Sequence, residues 1–339
     1  MEILVIGGTR FFGYFIVKRL VEDGHQVTLF NRGKTPDDFG RRLKRIRGDR
    51  YDHQAFFRKL DGKKYDVVVD MIAYKAEDSR SAVKTFLGNI GHYFHISTGS
   101  VYAVTKDFPC PLREQDFDRP LYPKHGKSDE LWDYGFHKRK CEEVLSEAYQ
   151  KQGFPSTRLR PPIVMGERDY TLRAYSYFIR ILDGKPLILP DGGLTVSSYI
   201  YQDDIVRAVS SNLLNARSFG QAYNLAQAEV ITLRAFVLKA AEILNKKVEL
   251  VDIPTDVLDK TGLGTSFSPL SMRRLFILDT QKARTDLSFS STPFDAWMRK
   301  TVQWFDEEYD GGPPENYRLR EKEFDVIRSY KKAIESIKK

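Results

Sequence analysis

The stretch from Met1 to Asp23 restricts the chain more than any later one. Ile3 to Ile6 is a short apolar run that reads as a buried strand, Gly7 and Gly8 break it, and Phe12 to Glu22 carries helical spacing through Phe12, Phe15, Ile16 and Leu20. Only a residue without Cβ lets the backbone turn this tightly and approach a pyrophosphate. The phosphate charge then meets the N–H groups and positive dipole end of the following helix. Gly13 would let the helix lie close to the strand, and Val27 to Phe30, after Gly24, reads as a second strand. A glycine turn alone also suits a purely structural strand-to-helix connection. As the opening βα unit of the chain, with a second strand behind it, it points to a dinucleotide site.

With 339 residues, 41% of them hydrophobic, the chain can bury a large domain and a smaller one. No apolar run approaches the ~18 residues of a membrane span, and with a first strand at Glu2 or Ile3 no secretory or transit segment is expected. Cys110 and Cys141 make neither a disulfide framework nor a metal-ligand spacing, so a reducing cytoplasm is expected and no metal is. The net charge of +8 sits in two places: Arg41 to Arg50, with six basic residues and Asp49, and Glu315 to Lys339, with eight basic and five acidic. A solvated charged face is the expectation for the tail. Contact of the basic residues with RNA stays open.

Along the chain, strands and helices alternate. A polar, basic loop (Asn31 to Arg50) follows the second strand, then a helix (His53 to Leu60), a strand (Tyr65 to Val69), a helix (Asp78 to Leu87) and a strand (His92 to Ser97). A Pro-rich loop from Phe108 to Lys124 leads into a long helix, Glu130 to Gln150, and a fifth strand, Ser156 to Leu159. This order implies an α/β fold, a doubly wound parallel sheet with ligands at the carboxyl ends of its strands. Beyond Pro161, helices are expected at Leu172 to Leu182, Asp203 to Asn215, Leu233 to Leu244 and Phe294 to Asp310. The expected division is a dinucleotide-binding domain of residues 1–160 plus about 203–225, a smaller mixed α/β substrate lobe of 161–202 plus 226–312, and a charged helical tail, 313–339.

Tyr134 and Lys138 stand four apart on the long expected helix, so they share a face. A free phenol, with a pKa near ~10, is a poor base at neutral pH, but a nearby ammonium favours its phenolate. Tyr134 is therefore a candidate general acid/base at a carbinol or carbonyl carbon. With Gly7-Gly-Thr-Arg-Phe-Phe-Gly13, Gly48-Asp49, Ser97-Thr-Gly-Ser-Val-Tyr102, Tyr134-Gly-Phe-His-Lys138, Leu159-Arg-Pro161, Tyr199 to Ile205 and Tyr223-Asn-Leu225, the chain up to about Tyr309 resembles an extended short-chain dehydrogenase/reductase of the NAD-dependent epimerase/dehydratase family. The loop form and Gly166 to Arg173 resemble an atypical branch that includes chloroplast stem-loop RNA-binding proteins. The resemblance implies a Rossmann fold, catalysis by Tyr134, Lys138 and Thr98, and a homodimer joined through helices that flank the sheet. Cofactor contacts would come from Gly7, Gly8, Thr9, Arg10, Phe11, Phe12, Gly13, Asn31, Arg32, Gly48, Asp49, Tyr134, Lys138 and Pro161. Ser100, Arg168 and Arg173 would meet a substrate such as a nucleotide sugar, with Arg180 a further candidate.

Two departures from the family pattern matter. Arg10 replaces the middle loop glycine, and Asn31-Arg32 stands where an acidic residue would bind the ribose 2′-hydroxyl of NAD; two guanidiniums without a carboxylate suit a 2′-phosphate, which favours NADP(H) over NAD(H). The Thr-Asp-Glu of sugar 4,6-dehydratases is Thr98, Gly99 and Ser100 here, which disfavours dehydration and leaves epimerase or reductase chemistry. The alternative is an RNA-binding or regulatory protein that retains a dinucleotide-binding fold. His125 and His137 receive no role.

Overall fold

The computed structural model describes residues 1–107, 109–124 and 129–337. Phe108 of the Pro-rich loop and His125 lie outside the described residues. The chain opens with β1 (Glu2–Ile6), α1 (Phe11–Glu22), β2 (Gln26–Asn31), β3 (Lys44–Arg47), α2 (His53–Leu60), β4 (Tyr65–Asp70), α3 (Ala76–Phe86) and β5 (Ile90–Ile96). Then come α4 (Ser100–Ala103), α5 (Glu130–Gln152), β6 (Ser156–Arg160), β7 (Ile163–Met165), α6 (Tyr175–Leu182), β8 (Leu187–Pro190), β9 (Val196–Ser197), β10 (Tyr199–Tyr201) and α7 (Gln202–Ser210). The remainder is β11 (Ala222–Asn224), β12 (Ile231–Thr232), α8 (Leu233–Ile243), β13 (Leu250–Ile253), α9 (Thr255–Lys260), α10 (Gln281–Leu287), α11 (Phe294–Glu307) and α12 (Arg320–Ile337).

Two compact units emerge. The first holds Met1–Val164, Tyr199–Gln227 and Leu278–Ser291; the second holds Met165–Ser198, Ala228–Ile277 and Thr292–Lys339. In the first, seven parallel strands run in the order β11-β6-β5-β4-β1-β2-β3, a Rossmann sheet. Strands covered on both faces must be apolar at every position. In β1, Ile3 and Val5 join the cluster built on α1 and α7, while Leu4 and Ile6 face the opposite cluster with Phe56, Phe86 and Leu145 of α2, α3 and α5. The segment Leu278–Ser291 had been expected in the smaller lobe. Its Ala283, Leu287 and Phe289 instead pack with the first cluster.

Among the described residues of 1–160, one strand was not foreseen. The basic stretch expected to be loop contains β3, the edge of the sheet, paired from Thr28↔Lys44 to Asn31↔Arg47. An edge strand has one open side and tolerates charge. Half of the run's basic residues are neutralised. Lys44 pairs with Glu2, Arg45 with Asp37 at 2.6 Å, and Arg50, its side chain fully buried, with Asp70 at 3.1 Å. Arg42 donates to the carbonyls of Phe39 and Asp38.

The second unit pairs β8 with β13 in parallel and β9 with β12 antiparallel. The tail is not a solvated appendage. Val326 and Ile327 of α12 pack with Ile188, Val251, Ile253 and Phe267. Glu323, also of α12, is fully buried and accepts from Arg180 at 2.7 Å and Arg320 at 2.8 Å, and Arg320 also pairs with Asp183. The helical pattern of the tail is real; Arg320 and Glu323 turn inward as a pair, while its other described charges lie on the exposed face that was expected.

β5 also carries an acid sensitivity. Burial pushes His92 down to about 3, and burial together with Lys138, Arg158 and Arg50 pushes His95 well below its ordinary value. Both rings stay neutral in the folded chain and protonate on unfolding, so stability is complete above about pH 6.5 and is lost progressively below it. Each histidine is expected to remove about 2 kcal/mol between pH 7 and pH 5. Urea titrations at the two pH values check this, with His92→Gln removing about half of the histidine contribution.

Candidate active site

The turn after β1 is shaped by three glycines. Gly7 has φ +99° and Gly8 φ +74°, and a Cβ on Gly8 would meet Val5 and Val17 at 2.8 Å. A Cβ on Gly13 would meet the Gly8 Cα at 3.2 Å, so the first turn of α1 lies against the glycine turn. Arg10 caps α1 through its backbone with no side-chain hydrogen bond to the first turn, leaving that turn to an anion. This cradle fits the pyrophosphate of a dinucleotide. Thr9 sits in the turn, half-buried. Phe11 is buried at φ +47° and Phe12 packs on the core, so any part they take is through the backbone.

A polar corner forms at the carboxyl end of β2. Arg10 Nε donates to Thr35 Oγ1 at 3.1 Å. Asn31 Oδ1 accepts from Gly33 N at 2.9 Å and from Arg47 Nη1 at 2.5 Å. Arg32 does not stand without a carboxylate, as expected from its neighbours in sequence: Asp49 lies 3.9 Å away, both side chains being largely exposed. Such a loose pair is worth little. Gly48 lets its strand pass Phe30, whose ring lies 2.5 Å from where a Cβ would be.

The helix α5 brings in the second group. A Cβ on Gly135 would meet the Ser100 carbonyl oxygen at 2.4 Å, so this glycine presses α5 onto α4 next to Tyr134. Tyr134 is 38% exposed, and its ring lies 6.2 Å from that of Tyr74. Lys138, one turn on, is buried and donates to the carbonyls of Ala73 at 2.9 Å and Ile96 at 2.7 Å, just past β4 and at the end of β5. Its ammonium lies 4.7 Å from the centre of the Tyr74 ring. Thr98 Oγ1 accepts from Ser100 N at 3.1 Å and meets Ser100 Oγ at 3.2 Å, and Gly99 N donates to the Pro161 carbonyl at 2.7 Å.

A third residue on this helix face escaped sequence reasoning. Glu142 continues the series Tyr134, Lys138 by another four and is wholly buried. It accepts from Ser97 Oγ at 2.5 Å and from Arg160 through Nε and Nη2. Arg160 Nη1 reaches Tyr102 Oη at 2.6 Å, and Tyr102 donates to Asn224 Oδ1. Burial would raise Glu142, but Arg160 beside it holds the carboxyl below its usual range. Ser97 and Tyr102 flank Thr98 to Ser100, so the Glu142–Arg160 pair ties that loop to the helix bearing Tyr134. The only sequence signal for Glu142 was its spacing.

Gly7 to Gly13, Asn31, Arg32, Gly48, Asp49, Thr98, Ser100, Tyr134, Lys138 and Pro161 all belong to the first unit. Arg168 and Arg173 belong to the second. Arg168 is exposed at φ +59°, and Arg173 donates to Thr171 Oγ1 at 3.2 Å. Arg180, considered for a diphosphate, is engaged by Glu323 and the Ser176 carbonyl and is not available. His137 is half-buried on α5.

The profile of the NAD dependent epimerase/dehydratase family matches residues 3–226. The chain belongs to that family. This epimerase/dehydratase chain is 28% identical over 244 residues to the chloroplast stem-loop binding protein of 41 kDa b of Arabidopsis thaliana, a match covering 68% of the chain and 60% of the relative. The alignment therefore spans less than two thirds of the plant protein's length. Among solved structures, UDP-glucose 4-epimerase of Thermotoga maritima with UDP-glucose superposes with a TM-score of 0.71 at 21% identity, covering 91% of this chain and 99% of that one. UDP-glucuronic acid 4-epimerase of Bacillus cereus in complex with NAD gives 0.70 at 19%, covering 92% and 99%. At these identities the likeness is one of fold. Among the described residues no cluster suited to a metal occurs, and no helix is long and apolar enough to cross a membrane.

Proposed function

We propose that this family member is an NADP(H)-dependent epimerase or reductase acting on a nucleotide sugar or a related carbinol or carbonyl compound, as a cytoplasmic homodimer joined through two helices that flank the sheet, α5 among them. One observation carries the reading: Tyr134 and Lys138 share the face of α5 that Gly135 presses onto Ser100, beside the loop of Thr98. When bound, the nicotinamide dinucleotide supplies hydride exchange at carbon. Tyr134 moves the proton at the neighbouring oxygen. Lys138, fixed by two carbonyls and screened from water by Tyr74, favours the phenolate of Tyr134, and its remaining donor suits a ribose hydroxyl. Thr98 and Ser100 donate hydrogen bonds to substrate oxygen. Thr98 to Ser100 offer no carboxyl group for eliminating water, which speaks against 4,6-dehydration. Arg168 and Arg173 are assigned to substrate phosphate. The basic run Arg41 to Arg50 gives the RNA-binding alternative less support than its composition suggests, because Lys44, Arg45 and Arg50 each have a carboxylate partner.

The test incubates purified protein with NADPH or NADP⁺, and separately with NADH or NAD⁺, in the presence of UDP-glucose, UDP-glucuronate, dTDP-glucose and small ketones. Epimers are followed by proton NMR and reduction by nicotinamide absorbance. Turnover that needs the dinucleotide and Tyr134 supports the reading. Dinucleotide binding with no conversion of any of these compounds overturns it.

A further inference from the structure

Arg47 stands at the β2–β3 corner, at the carboxyl end of β3. Lys44, Arg45 and Arg50 on the same run, and Arg32 across from it, each have a carboxylate within 4 Å, whereas Arg47, like Arg41 and Arg42, has none among the described residues. Its guanidinium is nonetheless held in place. Nη1 donates to Asn31 Oδ1 at 2.5 Å, the residue it faces in the strand register. A Cβ on Gly33 would lie 2.6 Å from the Arg47 Cζ and Nη1, so the guanidinium lies in the space left by the missing side chain of Gly33, which has φ +71°. The backbone is fixed as well, since Lys59 Nζ donates to the Arg47 carbonyl at 2.6 Å. A surface arginine needing only solvation requires neither anchor.

We propose that Arg47 is the residue that selects a 2′-phosphorylated dinucleotide, its guanidinium being held by Asn31 and Gly33 to clamp the phosphate ester at the carboxyl end of β2. This deepens the NADP(H) reading and rests on it. A guanidinium presents five donors in a planar fork that matches a phosphate. One donor is taken up by Asn31, which fixes the ring of donors in plane and leaves the outer edge for the ligand. Arg10 and Arg32 supply further positive charge, but Asp49 faces Arg32 and dilutes it. An unmodified ribose would gain little from Arg47, so its effect is on the ratio of the two cofactors.

The test measures dissociation constants of NADPH, NADH, 2′,5′-ADP and 5′-ADP by calorimetry for wild type, Arg47→Gln, Arg47→Lys and Arg32→Gln, with melting temperature as a check of folding. The expected result is a wild type that prefers NADPH over NADH and 2′,5′-ADP over 5′-ADP by tenfold or more. Arg47→Gln then weakens the 2′-phosphorylated ligands by at least about tenfold and leaves the others unchanged, while Arg47→Lys, which keeps the charge but not the fork, falls between. Equal weakening of all four ligands by Arg47→Gln would mean a structural role and overturn the assignment. Discrimination retained in Arg47→Gln and lost in Arg32→Gln overturns it while the NADP(H) reading stands. A wild type that prefers NADH, shows no preference or binds neither overturns both.

Discussion

Tyr134→Phe is expected to bind NADPH as wild type does and to lose turnover by about 10²–10⁴-fold, the usual contribution of a positioned acid/base. The substitution removes one oxygen from a ring that is 38% exposed and packs 6.2 Å from Tyr74, so melting temperature should be unchanged. The loss should fall on kcat, since in the proposed reaction the phenol acts on the reacting oxygen and not on ground-state binding. Lys138→Met gives the contrast. It removes the cation seated between the Ala73 and Ile96 carbonyls, leaving two buried acceptors without a donor, so both stability and dinucleotide affinity should fall. Steady-state kinetics beside calorimetric titration separate the two patterns. Tyr134→Phe with undiminished kcat would remove the phenol from the chemistry altogether.

Glu142→Ala is expected to destabilise the protein by about 3–5 kcal/mol, because it leaves Arg160 buried without its carboxylate. Arg158 is nearby as well, and burial already disfavours its charged form. Urea denaturation measures the loss. Replacing both partners, as in Glu142→Leu with Arg160→Met, should cost less than the single change, since no buried charge is left over. Glu147→Ala, on the exposed side of α5 where Glu147 pairs with Lys151, should leave stability unaltered. If Glu142→Ala unfolds no more readily than Glu147→Ala, the buried pair does not secure the loop between Ser97 and Tyr102.

The parts of this fold that were legible in the sequence share a local cause. A strand covered on both faces must be uniformly apolar, a helix needs its spacing, and the turn between β1 and α1 needs glycine at left-handed φ, so Ile3 to Glu22 announces itself within twenty residues. α2 was read to the residue for the same reason, its N-cap Asp52 accepting from Ala55 N. β3 was hidden because an edge strand is free to be Lys-Arg-Ile-Arg, a composition that argues for loop anywhere else. Gly135 was quoted in the Tyr134 motif, yet its purpose depends on Ser100, thirty-five positions earlier, and no local pattern encodes that approach. The same holds for charge. Arg160 finds its acid eighteen residues away and Arg180 finds Glu323 at a separation of 143, so the sequence displays cations whose burial only the folded chain reveals.

That last separation has a consequence during synthesis. Arg180 leaves the ribosome 143 residues ahead of the carboxylate that neutralises it, and Ile188, Val251 and Phe267 likewise precede Val326 and Ile327 of α12, which cover them. A nascent chain stopped short of α12 therefore carries an uncompensated guanidinium beside an open apolar face, the kind of surface that chaperones hold and proteases clear. The first unit needs nothing beyond Ser291 to be complete, so its sheet can close while the rest of the second unit is still being made. Emergence of α12 is then the event that lets the second unit bury Ile188, Val251 and Phe267 and pair Arg180.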